Sequence, residues 1–191
     1  MRSDQKRWDE RFKGKEFAFG KDANPFLKRH IHLLQKGTAL DIAAGEGKNT
    51  VFLAQHGFDV DAVDISEMGL RKAKKLARET GVKIHVVLAD LSAYQIEKER
   101  YDLIINFYFL NRRLIPKIKK GLKKGGSVIF ETYLLEQRIL GTGGPKHLRY
   151  FLKPNELLQL FKGFRILLYR EGIFKEGGRR KAIASLIAQK R

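Results

Sequence analysis

Three acids stand in or at the ends of three apolar stretches. Asp41 lies inside Ala39-Leu40-Asp41-Ile42, Asp64 closes Val60-Asp61-Ala62-Val63-Asp64, and Asp90 closes His85-Val86-Val87-Leu88-Ala89-Asp90. After the first stretch the chain breaks at Gly45 and Gly47, then resumes as Thr50-Val51-Phe52-Leu53-Ala54, which reads as a helix. A strand, a glycine turn and a helix present bare backbone N–H groups, free of Cβ crowding, at the positive end of a helix dipole. A ligand can press close to such a turn, unless the glycines serve only packing. A dinucleotide fingerprint would need a third glycine where Thr50 stands, and Asp41 would repel a pyrophosphate. A carboxylate there suits a cationic ligand. An acid ending the second strand of a doubly wound sheet sits beside the glycine turn and can accept two ribose hydroxyls, which gives Asp64 that role. Asp59 and Asp61 alternate with apolar neighbours and read as solvent-facing.

These residues resemble motif I of the class I methyltransferases that use S-adenosylmethionine (SAM), roughly Leu-Asp-x-Gly-x-Gly-x-Gly. The match falls on Leu40, Asp41, Gly45 and Gly47, with Ala43 replacing the first glycine. SAM carries a sulfonium and an ammonium, consistent with a carboxylate inside that strand. The resemblance implies a cofactor site built from Asp41, Ala43, Gly45, Gly47 and Asn49, with Asp64 on the ribose. It also implies Leu91 or Ile65 against the adenine ring face, Ala89 and Asp90 at its edge, and Asn106 near the methyl. The stretch Tyr101-Asp102-Leu103-Ile104-Ile105-Asn106-Phe107-Tyr108 resembles motif IV, without the Asn-Pro-Pro-Tyr of base-amine methyltransferases. Tyr108, Glu131 and His147 are the acid–base candidates, needed if the acceptor is an amine or hydroxyl.

The elements that must position these groups follow from periodicity and breakers. Asn24-Pro25 is a cap and first-turn pair for a helix running to Leu33-Leu34. Ser66 caps a helix through Leu76, and a helix over 111–120 precedes a fifth apolar strand, Ser127 to Tyr133. Residues 134–140 read as a short helix, followed by the flexible run Gly141-Thr142-Gly143-Gly144-Pro145. Pro154 is expected in the first turn of a helix to Phe161. Two strands, Phe164–Glu171 and Ala182–Ala188, flank a Gly177-Gly178 turn. This alternation gives an α/β fold: a Rossmann-like, doubly wound, seven-stranded sheet whose last strand is antiparallel, with helices on both faces. It is expected as one domain over 1–191, with N-terminal cap helices over 1–36 and a substrate lid over 134–153. Trp8, Phe17 and Phe19 are candidates for the N-terminal lid that folds over SAM in such families. The motif Trp-Asp-Glu-Arg-Phe near the start resembles the small stand-alone group related to tellurite-resistance and thiopurine methyltransferases. That group places polar and basic residues before the last strand, where Arg179, Arg180 and Lys181 stand here without a histidine.

Composition sets the remaining bounds. The chain has 191 residues, 43% hydrophobic and 31% charged, the profile of a soluble globular protein. It has no apolar run long enough for a membrane span and no signal-peptide core, so a cytoplasmic protein is expected. The absence of cysteine excludes disulfides, thiolate metal sites, radical-SAM clusters and cysteine-dependent pyrimidine C5 methylation. The histidines show no zinc spacing, and no metal is expected. The formal charge is +18, densest over Arg112–Lys124, and reads as solvated helix faces or as a nucleic-acid patch. The expected function is methyl transfer from SAM to a small molecule, a thiol, chalcogen oxyanion or similar, by in-line displacement, in a monomer or homodimer. An RNA methyltransferase using the basic surface, a SAM-binding module without turnover, and more remotely a dehydrogenase are the alternatives.

Overall fold

A computed structural model describes residues 2–176 and 178–191; Met1 and the Gly177 half of the expected turn lie outside the described residues. The strands are β1 (Thr38–Ile42), β2 (Asp59–Asp64), β3 (His85–Leu88), β4 (Tyr101–Phe107), β5 (Leu122–Tyr133), β6 (Arg165–Glu176) and β7 (Arg179–Gln189). They form one sheet in the order β3-β2-β1-β4-β5-β7-β6. The first five run parallel, and β7 is antiparallel to both of its neighbours, β5 and β6. The order reverses at β1, so the carboxyl ends of β1 and β4 open the crevice where ligands bind in doubly wound sheets.

Helices are α1 (Arg2–Phe12), α2 (Pro25–His30), α3 (Lys48–Gln55), α4 (Glu67–Glu79), α5 (Ile115–Gly121), α6 (Gln137–Leu140) and α7 (Glu156–Leu160). Side chains alternating along each central strand feed two cores. Leu40, Ile42 and Ile104 face α5 and α7, packing with Ile115, Ile118, Leu157 and Phe161. Ala39, Leu103 and Ile105 face the other way, onto Phe26, Leu27 and Leu53. All of these are almost completely buried. No helix among the described residues is long and apolar enough to cross a bilayer.

Three local expectations are corrected by packing. Asp61 is not turned to solvent: its carboxylate accepts the Tyr101 hydroxyl at 2.8 Å and pairs with Arg100 at 3.0 Å. Pro154 lies before the helix rather than in its first turn, because Asn155 at φ +58° forms the cap. The basic block is also less of a free face than its composition suggests. Arg112 clasps Glu156 and the carbonyls of Arg149 and Phe151, Lys117 reaches the Tyr94 carbonyl at 2.9 Å, and Lys123 pairs with Asp102 at 2.8 Å.

Candidate active site

The glycine turn forms where the sequence places it, but each residue has a distinct reason to be there. Ala43 adopts φ +56°, the left-handed conformation that a glycine would hold without Cβ strain. Gly45 follows at φ +55° and Gly47 at φ +79°. A Cβ on Gly47 would sit 2.5 Å from the Ala73 Cβ on α4, so this glycine is required by helix packing. Gly47→Ala combines that clash with a left-handed backbone and should cost about 2–5 kcal/mol, read as a lowered urea midpoint. Gly45 instead faces the Phe12 ring, whose Cζ would lie 3.3 Å from an added Cβ.

The three strand-end acids divide into different jobs. Asp41 is 2% exposed and accepts the Thr50 hydroxyl at 2.6 Å. Burial pushes its carboxyl up to about 7, against the opposing pull of Thr50, and Asp64 adds repulsion. Asp64 is itself buried. One oxygen accepts the Gly45 N–H and the other the Ser66 N–H, both at 2.8 Å. Burial raises this carboxyl too, partly offset by the three backbone donors at Ser66, Gly45 and Ile65. Asp90 is half-buried and is held below the ordinary carboxylate range by the Ser92 N–H and hydroxyl. Beside these acids, Leu91 is in the core, Ile65 and Ala89 are half-buried, and the Ala89 N–H bonds the Asp64 carbonyl. Asn106, buried at the end of β4, donates to the Phe109 carbonyl at 2.6 Å.

The N-terminal segment lies across the turn. Asp9 accepts from the Ser66 hydroxyl and the Met68 N–H, fixing α1 to the start of α4. Phe12, 3% exposed, is the aromatic that seals the turn, with Trp8 stacked on it at 5.6 Å and Phe19 edge-on at 6.0 Å. Phe17 lies instead under the ammonium groups of Lys21 and Lys72. Glu46, inside the glycine motif, accepts the Ala18 and Phe19 N–H groups and pairs with Lys72 at 2.8 Å. Phe12 stands in the sequence only as the end of the Trp-Asp-Glu-Arg-Phe motif, and Glu46 only as a residue between the two glycines.

At the other wall, Tyr108 and Glu131 come together and His147 does not join them. Glu131, fully buried on β5, takes four donors: Asn24 Nδ2 at 2.7 Å, the Tyr108 hydroxyl at 2.9 Å, the Ser185 hydroxyl at 2.6 Å and Arg170 at 3.3 Å. Tyr108 sits at φ +59° and its ring packs 4.9 Å from Tyr133. The Lys181 ammonium lies 3.1 Å from the Tyr108 hydroxyl and 4.7 Å above its ring. Burial lowers the Lys48 pKa, and the nearby positive charge of Lys181 lowers it further. Asn49 supports this wall from the turn: its side-chain oxygen accepts the Asn24 N–H at 2.8 Å. His147 is exposed, edge-on to Tyr150, in the 134–153 segment. The base of that segment is fixed rather than flexible, since Leu134 bridges Leu152 and buried Gln137 bonds Thr142, Gly143 and Ala182. Among the described residues no three His, Asp or Glu side chains gather as metal ligands.

The donor set fits SAM. In a chain with 39 lysines and arginines, neither Asp41 nor Asp64 pairs with one among the described residues. Two buried acids without a cation are a place for a ligand that brings positive charge and hydroxyl donors.

The comparisons agree with this geometry. A methyltransferase-domain family model matches residues 39–126, from β1 into β5. The "Probable S-adenosyl-L-methionine-dependent methyltransferase TehB" of Haemophilus influenzae is 29% identical over 140 residues, covering 70% of this chain and 48% of that protein. An Idiomarina loihiensis "Ubiquinone biosynthesis O-methyltransferase" is 27% identical over 155 residues, covering 71% of this chain and 63% of its own length. The chain thus spans about half the length of the TehB relative. The crystal structure of H. influenzae TehB superposes with a TM-score of 0.75 at 20% identity, covering 98% of this chain and 67% of that one. Motif, strand order and relatives converge: the chain resembles the class I SAM-dependent methyltransferases, TehB among them.

Proposed function

We propose that this domain transfers the methyl of SAM to a small acceptor that is anionic when it reacts, such as a thiolate or a chalcogen oxyanion. The observation that supports this class is the cationic, aromatic wall beside the glycine turn: Lys181 over Tyr108, Tyr133 behind it, and Lys48 near enough to Lys181 to be perturbed by it. SAM supplies an electrophilic methyl whose sulfur leaves as a neutral thioether. The chain holds the reactants. Asp64 and the turn orient the nucleoside, Asp41 balances positive charge, and the segment around Phe12 and Glu46 excludes water. An anionic acceptor needs no base, which suits a wall whose one buried carboxylate, Glu131, already accepts four hydrogen bonds.

Titration calorimetry with S-adenosylhomocysteine tests the cofactor half of this reading. Asp64→Asn should bind about 10- to 100-fold more weakly than the parent, the range for losing hydrogen bonds to a charged acceptor. No binding to the parent protein would sink the assignment. For the acceptor, Lys181→Met should raise KM for thiols and tellurite while leaving S-adenosylhomocysteine affinity unchanged.

A further inference from the structure

The wall just described uses the carboxyl ends of the parallel strands. At the opposite rim, where the parallel strands begin, exposed cations gather without carboxylate partners among the described residues. Backbone hydrogen bonds fix five segments side by side. The Glu99 and Arg100 N–H groups bond the carbonyls of Lys120 and Gly121, joining the 97–100 loop to the end of α5. Gly125 and Lys190 exchange bonds with Lys190 and Gly126, placing Lys124 beside the end of β7. Arg165, at the start of β6, pairs in register with Gln189. Lys119 lies over Phe161 and Phe164, which draws the Lys162 turn to the end of α5.

The acids on this rim are already engaged. Glu97 and Asp61 hold Arg100, Asp102 holds Lys123, and Glu99 faces Lys190 at 3.9 Å. Lys98, Lys120, Lys124, Lys162 and Arg165 are exposed and pair with no carboxylate among the described residues. From β4 to β6 this row crosses three inter-strand gaps, about 14 Å. Its cations stand on fixed backbone rather than on a tail.

We propose that this rim binds the phosphate backbone of a double-stranded nucleic acid, independently of methyl transfer at the far end of the sheet. Single strands are recognised by pairing cations with aromatic stacking platforms. Here the rim's rings, Phe161 and Phe164, are tucked beneath Lys119, and the exposed aromatics Trp8 and Phe19 belong to the lid over the glycine turn. What the rim presents is charge alone, which suits a duplex contacted through phosphates without base reading.

Fluorescence anisotropy with a 20-base-pair duplex of arbitrary sequence, as DNA and as RNA, tests this between 50 and 200 mM salt. With about five phosphates neutralised, the affinity should fall roughly 500-fold across that range. The triple variant Lys120→Gln, Lys124→Gln, Arg165→Gln should lose only about 12-fold, because its salt slope is shallower by about 2.7. Its melting temperature and S-adenosylhomocysteine affinity should match the parent, which separates loss of docking from loss of fold. A variant that binds duplex with the parent's affinity and slope would overturn the proposal. So would a parent that ignores duplex yet binds vesicles containing phosphatidylserine, or one that prefers single strands of equal length.

Discussion

Asparagine at position 41 should raise the stability of the ligand-free protein, and most of all in alkaline buffer. The folded chain keeps the Asp41 proton to about pH 7, whereas an ordinary aspartate releases it near 3.8. The folded state therefore binds more protons than the unfolded state throughout that window. Stability contributed by this group is complete below the window and declines as pH rises through it, by about 4 kcal/mol in all. Above pH 7 the loss is constant. Asp41→Asn removes the charge while leaving an oxygen for the Thr50 hydroxyl, so its unfolding free energy should not show that decline. Urea titrations at pH 5 and pH 8 should narrow the difference between the two pH values by about 3 kcal/mol in the variant. The same substitution should weaken SAM more than S-adenosylhomocysteine, since only SAM carries the sulfonium charge. Equal losses for the two ligands would show that Asp41 acts on the shape of the turn and not on its charge.

The second large effect is expected at Glu131. Alanine removes the fully buried carboxylate that accepts from Arg170, from the Tyr108 and Ser185 hydroxyls and from the Asn24 amide, a change of about 3–5 kcal/mol. Glutamine keeps the volume but points an N–H₂ group at donors, and should cost about 1–3 kcal/mol. The effect on ligand binding follows from the chain of contacts. Asn24 is held by Glu131 on one side and by Asn49 on the other, so loosening Glu131 loosens the first turn of α3. Glu131→Gln should therefore lower both the urea midpoint and the S-adenosylhomocysteine affinity. If turnover collapses while both of those are unchanged, Glu131 is the general base that its residue type first suggested.

Much of this site was readable because the determining interactions are short in sequence. A glycine turn between a strand and a helix, an acid closing an apolar run, and Ser66 three residues before Gly69 are local patterns, and each appears where expected. The terminal hairpin was equally plain, although its strands extend beyond the apolar runs, through Lys175 and from Arg179. What escaped depends on partners far along the chain. Trp8, Phe17 and Phe19 are the lid candidates in the sequence, and it is the close approach of Phe12 to Gly45 and Gly69 that sets Phe12 apart from them. Glu46 takes its role from the N–H groups of Ala18 and Phe19, nearly thirty positions earlier. Asp61 has the alternation of a solvent-facing strand residue and is overruled by Tyr101, forty positions later.

The position of β7 inside the sheet has a consequence for how the protein is made. Of the seven strands it is synthesised last, yet it must slot between β5 and β6 rather than add to an edge. Until it does, Glu131 has lost its Ser185 partner, and the Ala182 N–H that secures Gln137 is missing. A nascent chain on the ribosome can thus assemble β1 through β4 and the glycine turn early, but the wall around Glu131 stays open until β7 has emerged. Long-range strand insertion of this kind is slow, and it leaves unpaired strand edges exposed in the interval. The half of the molecule that carries the glycine turn should therefore mature before the half that carries the Glu131 wall.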